Sequence, residues 1–389
     1  MEAKKFFIPT NIIYGPGSVN SVGEAAANLC LQKVLIVTDK VMIQLGNTDV
    51  AVSSLKEKGI AYEIFDEVAS EPTMEYVDAG LRIYKEQGCE GLIAIGGGSP
   101  IDTAKAISVM CRNEGTIRDY KGLEKIPKKG VPVIAVPTTA GTGSEATKVT
   151  VITDTENDVK MMLSCRHLLP DIAIVDPMLT LAMPQSLTAA TGVDALTHAI
   201  EAYVSVKANP LSDIFALSAI ELISKNLRMA WANGNNVEAR TKTMLGSLQG
   251  GIAFSNSSVA LVHGMSRPLG AVFHVPHGVS NAVLLIEVMR FSLPGNPERY
   301  ARIAAAMGEN VAGLTAIEAA DKAVRAVERL VNDIKVPSLK DLGIDRDELI
   351  NISSKMADDA IDSGSPGNNP RIATKKEIVE LYRIAYDAR

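Results

Sequence analysis

The sequence predicts two parts: a parallel α/β half over residues 1–184, then an all-helical half over residues 185–389. Three observations carry that expectation. Short apolar runs alternate with helical spacing through the first half. Strand-like runs stop near Pro184, and helical spacing continues alone beyond it. A chain of 389 residues, 47% of them apolar, also exceeds what one ordinary core takes up.

In chain order, residues 34–38 (VLIVT), 61–65, 91–95, 131–136 and 172–175 read as buried strands, being short and rich in branched apolar side chains. Residues 50–58, 74–86 and 101–111 carry helical spacing between them. Such alternation builds a mostly parallel sheet with helices on both faces. Residues 147–153 and 159–164 read as an inserted β-hairpin around a turn at 154–158. Beyond Pro184, residues 186–206, 211–232, 239–254, 297–307, 316–334 and 375–388 read as long helices. The PGNNP run at 366–370 reads as irregular chain before the last of them.

Composition excludes several classes. Lys and Arg number 39 against 45 Asp and Glu, a net charge of −6. No basic stripe is available to neutralise a phosphate backbone, so no nucleic-acid partner is expected. No run reaches the about 18 apolar residues of a membrane span, and the N-terminus lacks the apolar stretch of a secretory leader. Cys30, Cys89, Cys111 and Cys165 are scattered without a C-x-x-C pair. That disfavours a disulfide framework or a thiolate zinc site, and fits free thiols in a reducing cytoplasm.

Two loops suit a phosphate-bearing ligand. Gly96, Gly97, Gly98 and Ser99 run from a strand into a helix that continues through Pro100 and Asp102. Glycines let the backbone approach a ligand, and the helix start offers open N–H groups and the positive dipole end. A tight turn without a ligand would read the same way. The second loop, PTTAGTGSE at 137–145, follows another buried strand with hydroxyls at Thr138, Thr139 and Thr142. Ligands collect at the carboxyl ends of parallel strands, so two such loops carry more weight than one. Asp39 ends the first strand run, where an acid accepts from ribose hydroxyls and repels a 2′-phosphate, favouring NAD over NADP. It would serve equally as a helix N-cap.

Histidines are scarce: His167, His198, His263, His274 and His277. Asp194 and His198 are four apart, one helical turn on one face, among Ala, Leu and Ile. A carboxylate and an imidazole buried there need a metal or each other. His263 and His277 are each followed by glycine, which leaves room beside the ring. Three imidazoles and a carboxylate suit zinc, ferrous iron, nickel or cobalt. On spacing alone His274 competes with His277, while His167, in RHLLP, reads as a loop residue.

These motifs together resemble the iron-containing (group III) alcohol dehydrogenase family over nearly the whole chain. They are GGGSPIDTAK at 96–105, PTTAGTGSE at 137–145, AATGVDALTHAIE at 189–201, HGM at 263–265 and PHGV at 276–279. The sequence is most similar to the branch holding lactaldehyde reductases and 1,3-propanediol dehydrogenases. The resemblance implies a dehydroquinate synthase-like fold, with an α/β NAD-binding part over 1–184 and a helical metal-binding part over 185–389. It implies NAD and a divalent metal (Fe²⁺ first, Zn²⁺ or Ni²⁺ as alternatives), a small alcohol or aldehyde substrate, and a homo-oligomer, dimer or decamer. Its ligand set maps onto Asp194, His198, His263 and His277, choosing His277 over His274. Its cofactor contacts map onto Asp39, Gly96, Gly97, Gly98, Ser99, Asp102, Thr138, Thr139, Thr142, Lys160 and Leu179.

Two positions depart from the family pattern. Ser70-Glu71-Pro72-Thr73 stands where many members carry Pro-Asn-Pro-Thr, whose Asn approaches the cofactor. Arg267 stands where many carry a histidine given a proton-transfer role. Arginine stays protonated and is no base. His274 could then take over the proton transfer, and Arg267 either pairs with an aldehyde's carboxylate, phosphonate or sulfonate tail, salt-bridges a local acid, or points toward cofactor phosphate. A dehydroquinate synthase-like lyase would share the fold, but needs a Lys, Arg and Asn cluster that the sequence does not display.

Overall fold

The computed structural model describes residues 4–9, 11–157 and 159–388; Asp158, in the expected hairpin turn, lies outside them. The chain divides into two compact units, Met1–Ala182 and Met183–Arg389.

In the first unit the order is β1 (Asn11–Tyr14), α1 (Val22–Asn28), β2 (Lys33–Val37), α2 (Lys40–Gln44), α3 (Asp49–Glu57), β3 (Ala61–Phe65), α4 (Met74–Glu86), β4 (Gly91–Gly96) and α5 (Gly98–Met110). Then come β5 (Gly122–Leu123), β6 (Val133–Pro137), β7 (Val149–Asp154), β8 (Val159–Ser164) and β9 (Ile172–Val175). Among the described residues six strands form one sheet in the order β1-β9-β6-β4-β2-β3, with every pair parallel. The central β4, β6 and β9 are buried along their length, and the edge strands β1 and β3 are half-buried. That explains the unbroken apolar runs of the middle strands: both faces are covered.

Side chains alternate between two cores, as a two-residue period requires. Leu35, Val37, Leu92 and Ala94 pack with Val77 of α4 and Ile101 and Ile107 of α5. Val34, Ile36, Ile93 and Ile95 pack with Val22 and Ala26 of α1 and Leu55 of α3. The strand order reverses between β2 and β4, since β3 lies beyond β2 on the other side. Loops leaving the carboxyl ends of β2 and β4 diverge at such a point, and that is where a crevice opens. Asp39 follows β2 and Gly97 follows β4.

The hairpin is present as β7 and β8, antiparallel, with the two-residue β5 added in parallel beside β8. β6 begins at Val133, two residues later than the apolar run suggests. Pro132 has no N–H to give a ladder, which accounts for the late start.

The second unit is helical: α6 (Gln185–Val204), α7 (Pro210–Ala232), α8 (Val237–Asn256), α9 (Leu261–Phe273), α10 (His277–Ser292), α11 (Pro297–Ala306), α12 (Ala316–Asp333), α13 (Arg346–Asp362) and α14 (Lys375–Asp387). α12 is amphipathic, burying Ala320, Ala323, Val324, Val327 and Val331 on one stripe. α6 is buried almost all round, apart from its first turn. Caps set the boundaries: Asn209 before Pro210 on α7, Thr315 with Glu318 on α12, and Thr374 with Glu377 on α14. Three helices were not legible as such. α9 carries Pro268 in its interior, α10 buries nearly every position from Ser280 onward and shows no polar face, and α13 has only a weak apolar stripe. Among the described residues no helix is long and apolar enough to cross a membrane.

Candidate metal centre and dinucleotide loop

The first unit presents a backbone site. α5 starts at Gly98 with Gly97 as its N-cap, and no side chain caps it. Its opening N–H groups are therefore left to an anion. The three glycines differ in their reasons. Gly96 has φ +155°, and a Cβ there would lie 2.6 Å from Pro100 Cγ. A Cβ on Gly98 would lie 2.9 Å from Thr142 Cγ2. At Gly97 it would meet Thr139 at 3.6 Å, an ordinary contact. The chain itself demands glycine at 96 and 98; at 97 only something held by the loop would.

The neighbouring loop fits the same ligand. Thr138 N–H donates to Gly96 O at 2.9 Å, locking the ends of β6 and β4 together. Thr138 Oγ1 is buried without a hydrogen-bond partner. An orphaned hydroxyl beside open helix N–H groups is the mark of a polar ligand site. Thr139, Ser99 and Thr142 are half-buried around it. Thr142 Oγ1 also accepts from Ser144 N–H at 3.2 Å.

Other expected contacts already have partners within the chain. Asp39 is the N-cap of α2, accepting from Met42 N–H at 3.0 Å through one oxygen. Lys160 pairs with Glu71, 2.5 Å away. Asp102 accepts from Val151 N–H at 2.9 Å and from Ser144 Oγ, so one of its oxygens serves the second loop and the other β7. Leu179 is packed in the core below β2 and β4.

The second unit presents a side-chain site. Asp194 and His198 project from α6, His263 from α9 and His277 from α10, and one ligand atom of each lies within 4.8 Å of the others. Donors at about 2.0–2.2 Å from a shared cation lie at most roughly 4.4 Å apart, so a few tenths of an ångström of contraction would close the shell. Asp194 Oδ1 stands 3.7 Å from His263 Nε2 and 3.8 Å from His277 Nε2. The His198 ring stacks on Phe254 at 4.3 Å and on His263 at 4.4 Å. Gly278 explains how α10 comes close: a Cβ there would stand 2.7 Å from Ala190 O of α6.

Two residues that sequence reasoning passed over complete the cluster. Glu201 is 2% exposed, and its Oε2 lies 2.6 Å from His263 Nδ1. It also accepts from the backbone N–H groups of Ala260 at 2.9 Å and Val262 at 2.5 Å. A carboxylate there keeps the proton on Nδ1 and turns the Nε2 lone pair toward Asp194. Burial pushes the Glu201 carboxyl up to about 7, opposed by those backbone donors. Burial, and then the neighbouring His198, depress His263 well below the usual imidazole range, so its neutral, ligating form is favoured. Asn281 is fully buried, with Nδ2 2.6 Å from Asp194 Oδ1, 3.1 Å from His263 Nε2 and 3.2 Å from His277 Nε2. The signal was present in the spacing: Glu201 follows His198 by three, and Asn281 follows His277 by four, each on its ligand's helical face.

Among the described residues His167 and His274 fall outside that ligand group, whereas the Arg267 charge acts on both His263 and His277. His167 lies in a short 3-10 turn, and His274 is exposed at the C-cap of α9 with φ 53°. Arg267, one turn past His263 on α9, donates to Ser365 Oγ at 3.1 Å.

Comparison with known proteins bears on both sites. The profile of the iron-containing alcohol dehydrogenases matches residues 9–177, and that of the C-terminal part of the Fe-containing alcohol dehydrogenase family matches residues 188–386. The chain is 42% identical to 1,3-propanediol dehydrogenase of Klebsiella pneumoniae, over 98% of each chain. It is 40% identical to lactaldehyde reductase of Escherichia coli K12, over 99% of this chain and 100% of that one. It is 39% identical to the NAD-dependent methanol dehydrogenase of Bacillus methanolicus, over 98% and 99%. A crystal structure of 1,3-propanediol oxidoreductase superimposes with a TM-score of 0.96 at 41% identity, covering 99% of this chain and 100% of that one. Sulfoacetaldehyde reductase of Bifidobacterium kashiwanohense in complex with NAD⁺ superimposes with a TM-score of 0.90 at 29% identity over the whole of both chains. Matched end to end at these levels, the chain belongs to the iron-containing alcohol dehydrogenase family.

Proposed function

We propose that the chain is a metal-dependent, NAD-linked alcohol dehydrogenase that also runs as an aldehyde reductase on short substrates. The observation that carries this reading is the convergence of one carboxylate and three imidazoles within 4.8 Å. Asp194, His198, His263 and His277 would hold a divalent cation, Fe²⁺ first and Zn²⁺ or Ni²⁺ as alternatives. When bound, such a cation supplies a Lewis acid that polarises the substrate's oxygen, while NAD carries the hydride. The chain's own part is electrostatics and position. Glu201 holds the Nδ1 proton of His263, and Asn281 donates to Asp194. Gly96, Gly97, Gly98 and Ser99 present N–H groups to the dinucleotide's phosphates. Thr138, Thr139 and Thr142 offer hydroxyls, the second oxygen of Asp39 accepts from ribose, and Leu179 and Lys160 complete the contacts. Residues 1–184 then form the NAD-binding domain and 185–389 the metal-binding domain, in a cytoplasmic homo-oligomer, dimer or decamer.

A second reading concerns the substrate's tail. The Arg267 guanidinium has one hydrogen bond among those resolved, to Ser365, and its charge acts on His263. It would pair with an aldehyde carrying a carboxylate, phosphonate or sulfonate. His274 would then carry the proton. The test is a panel of alcohols and aldehydes with NAD⁺ or NADH, using metal-stripped protein reloaded separately with Fe²⁺, Zn²⁺ and Ni²⁺. Full turnover by the stripped protein would overturn the metal reading. An unchanged preference between propanal and succinic semialdehyde in Arg267→Ala would overturn the tail reading.

A further inference from the structure

Lys105 lies in the middle of α5, 1% exposed, and no step of the proposed chemistry uses it. Its ammonium reaches across to the second loop. Nζ donates to Ser144 Oγ at 2.7 Å, to Thr147 Oγ1 at 3.0 Å and to Val149 O at 3.0 Å. All three N–H groups are thereby engaged, each by a different residue of the segment that follows Thr142. Asp102, one turn earlier on α5, stands 3.7 Å from Nζ and takes the same segment from its other side. It accepts from Ser144 Oγ and Val151 N–H, and its carbonyl accepts from Thr150 Oγ1 at 3.0 Å. Glu145 is the other buried charge facing Nζ, and Lys148 is half-buried nearby in sequence. Burying a lysine is costly unless it is fully bonded. What this one secures is the register of one phosphate-type loop against the helix that opens with the other.

We infer that Lys105 is a positioning residue for the dinucleotide, clamping the Thr138–Thr142 loop to α5 through Ser144, Thr147 and Val149. This rests on the NAD reading of the first unit. Asp102 belongs to the same clamp, which gives it an indirect part in cofactor binding. The charge state matters to the geometry: an ammonium has a proton for each of its three acceptors, and a neutral amine turns a lone pair toward one of them. Burial brings the Lys105 ammonium down to about 8, against the pull of Asp102 and Glu145. The clamp is therefore complete below that pH and loosens above it.

NADH binding to the full-length protein, followed by fluorescence from pH 6.5 to 9.5, tests this alongside steady-state kinetics. In wild type the affinity should fall about tenfold as pH rises through 8, with kcat at saturating NADH changing far less. Lys105→Met should bind NADH about tenfold more weakly at pH 7, with a flat profile, and keep its metal content. Thr147→Val, which removes one acceptor and no charge, should weaken binding by a smaller factor and keep the pH dependence. A Lys105→Met protein with wild-type KM for NADH, or a wild-type profile flat through pH 8, would overturn the inference. Should Lys105→Met fail to fold, the wild-type profile and Thr147→Val decide the matter. No NADH binding by wild type at any pH would instead overturn the NAD reading itself.

Discussion

At the carboxyl end of β4 an anion would meet backbone: Gly97, the open start of α5, and a threonine hydroxyl with nothing else to bond. Around α6 a cation would meet side chains drawn from three helices, with Glu201 and Asn281 behind them. The first site works by leaving things out, since a phosphate needs close approach and N–H groups rather than a reactive side chain. The second works by bringing charges together against the cost of burying them, which the cation would offset. Damage to each should therefore look different, and the contrast can be pressed from its strongest expected effect downward.

The largest loss should follow removal of a ligand. His263→Ala leaves a buried site short of one donor, and the several kcal/mol that a Lewis acid contributes correspond to about 10³-fold or more in kcat. Metal content should fall with it. NADH binding, which the proposed reading assigns to the first unit, should remain within about twofold. If His263→Ala lost NADH binding and metal together, the separation of the two sites would be wrong.

The support of the ligands comes next. Glu201→Gln keeps the size and the hydrogen-bonding reach of the side chain but removes the charge that orients His263. Metal affinity should drop on the order of 10–100-fold, the usual scale for outer partners of ligating histidines. Competition with a chelator measures it. Affinity unchanged within error would show that the backbone around Val262 positions the ring unaided.

The same contrast explains what was legible in the sequence. The glycine-rich loop is one contiguous stretch, and its strand, turn and helix are read from ten residues. The ligands span residues 194–277, and only Asp194 and His198 announce their neighbourhood by helical spacing. His263 and His277 could be joined to them by residue type and by resemblance, because α9 and α10 were invisible: Pro268 interrupts one, and burial on all sides erases the polar face of the other. The space beside Gly278 is taken up by α6, where a Cβ would stand against Ala190 O. Glu201 and Asn281 escaped notice because a Glu and an Asn on helices are ordinarily solvated, and only their burial marks them.

Within the first site the glycines offer a finer test. Gly96→Ala forces a side chain onto Pro100 at φ +155°, and should cost on the order of 1–3 kcal/mol of stability. Gly97→Ala meets only an ordinary contact with Thr139, so its melting temperature should stay within about 2 °C of wild type. Its KM for NADH should nevertheless rise about tenfold, because the methyl group would occupy the space in which the proposed phosphate contacts are made. Equal melting losses in the two variants, with equal KM, would show the turn to be structural throughout.

The last comparison concerns a charge that neither site spends directly. Glu145 closes the second loop, fully buried, and burial pushes its carboxyl up to about 7 from an ordinary 4.5, opposed by its own backbone and by Lys105. Between those two pH values the folded chain holds a proton that the unfolded chain has released. Stability therefore falls as pH rises from 4.5 to 7. At 1.36 kcal/mol per pH unit the loss is at most about 3 kcal/mol. Glu145→Gln stays neutral throughout, so it should melt like wild type near pH 4.5 and above it at pH 7. Glu201 bends the wild-type curve in the same sense, and comparing the two proteins at each pH cancels that contribution. The depression of Lys105 acts between about 8 and 10.5, outside this window. Parallel melting curves across pH 4.5–7 would mean that the Glu145 carboxyl ionises without cost, and that the loop is better solvated than its burial implies.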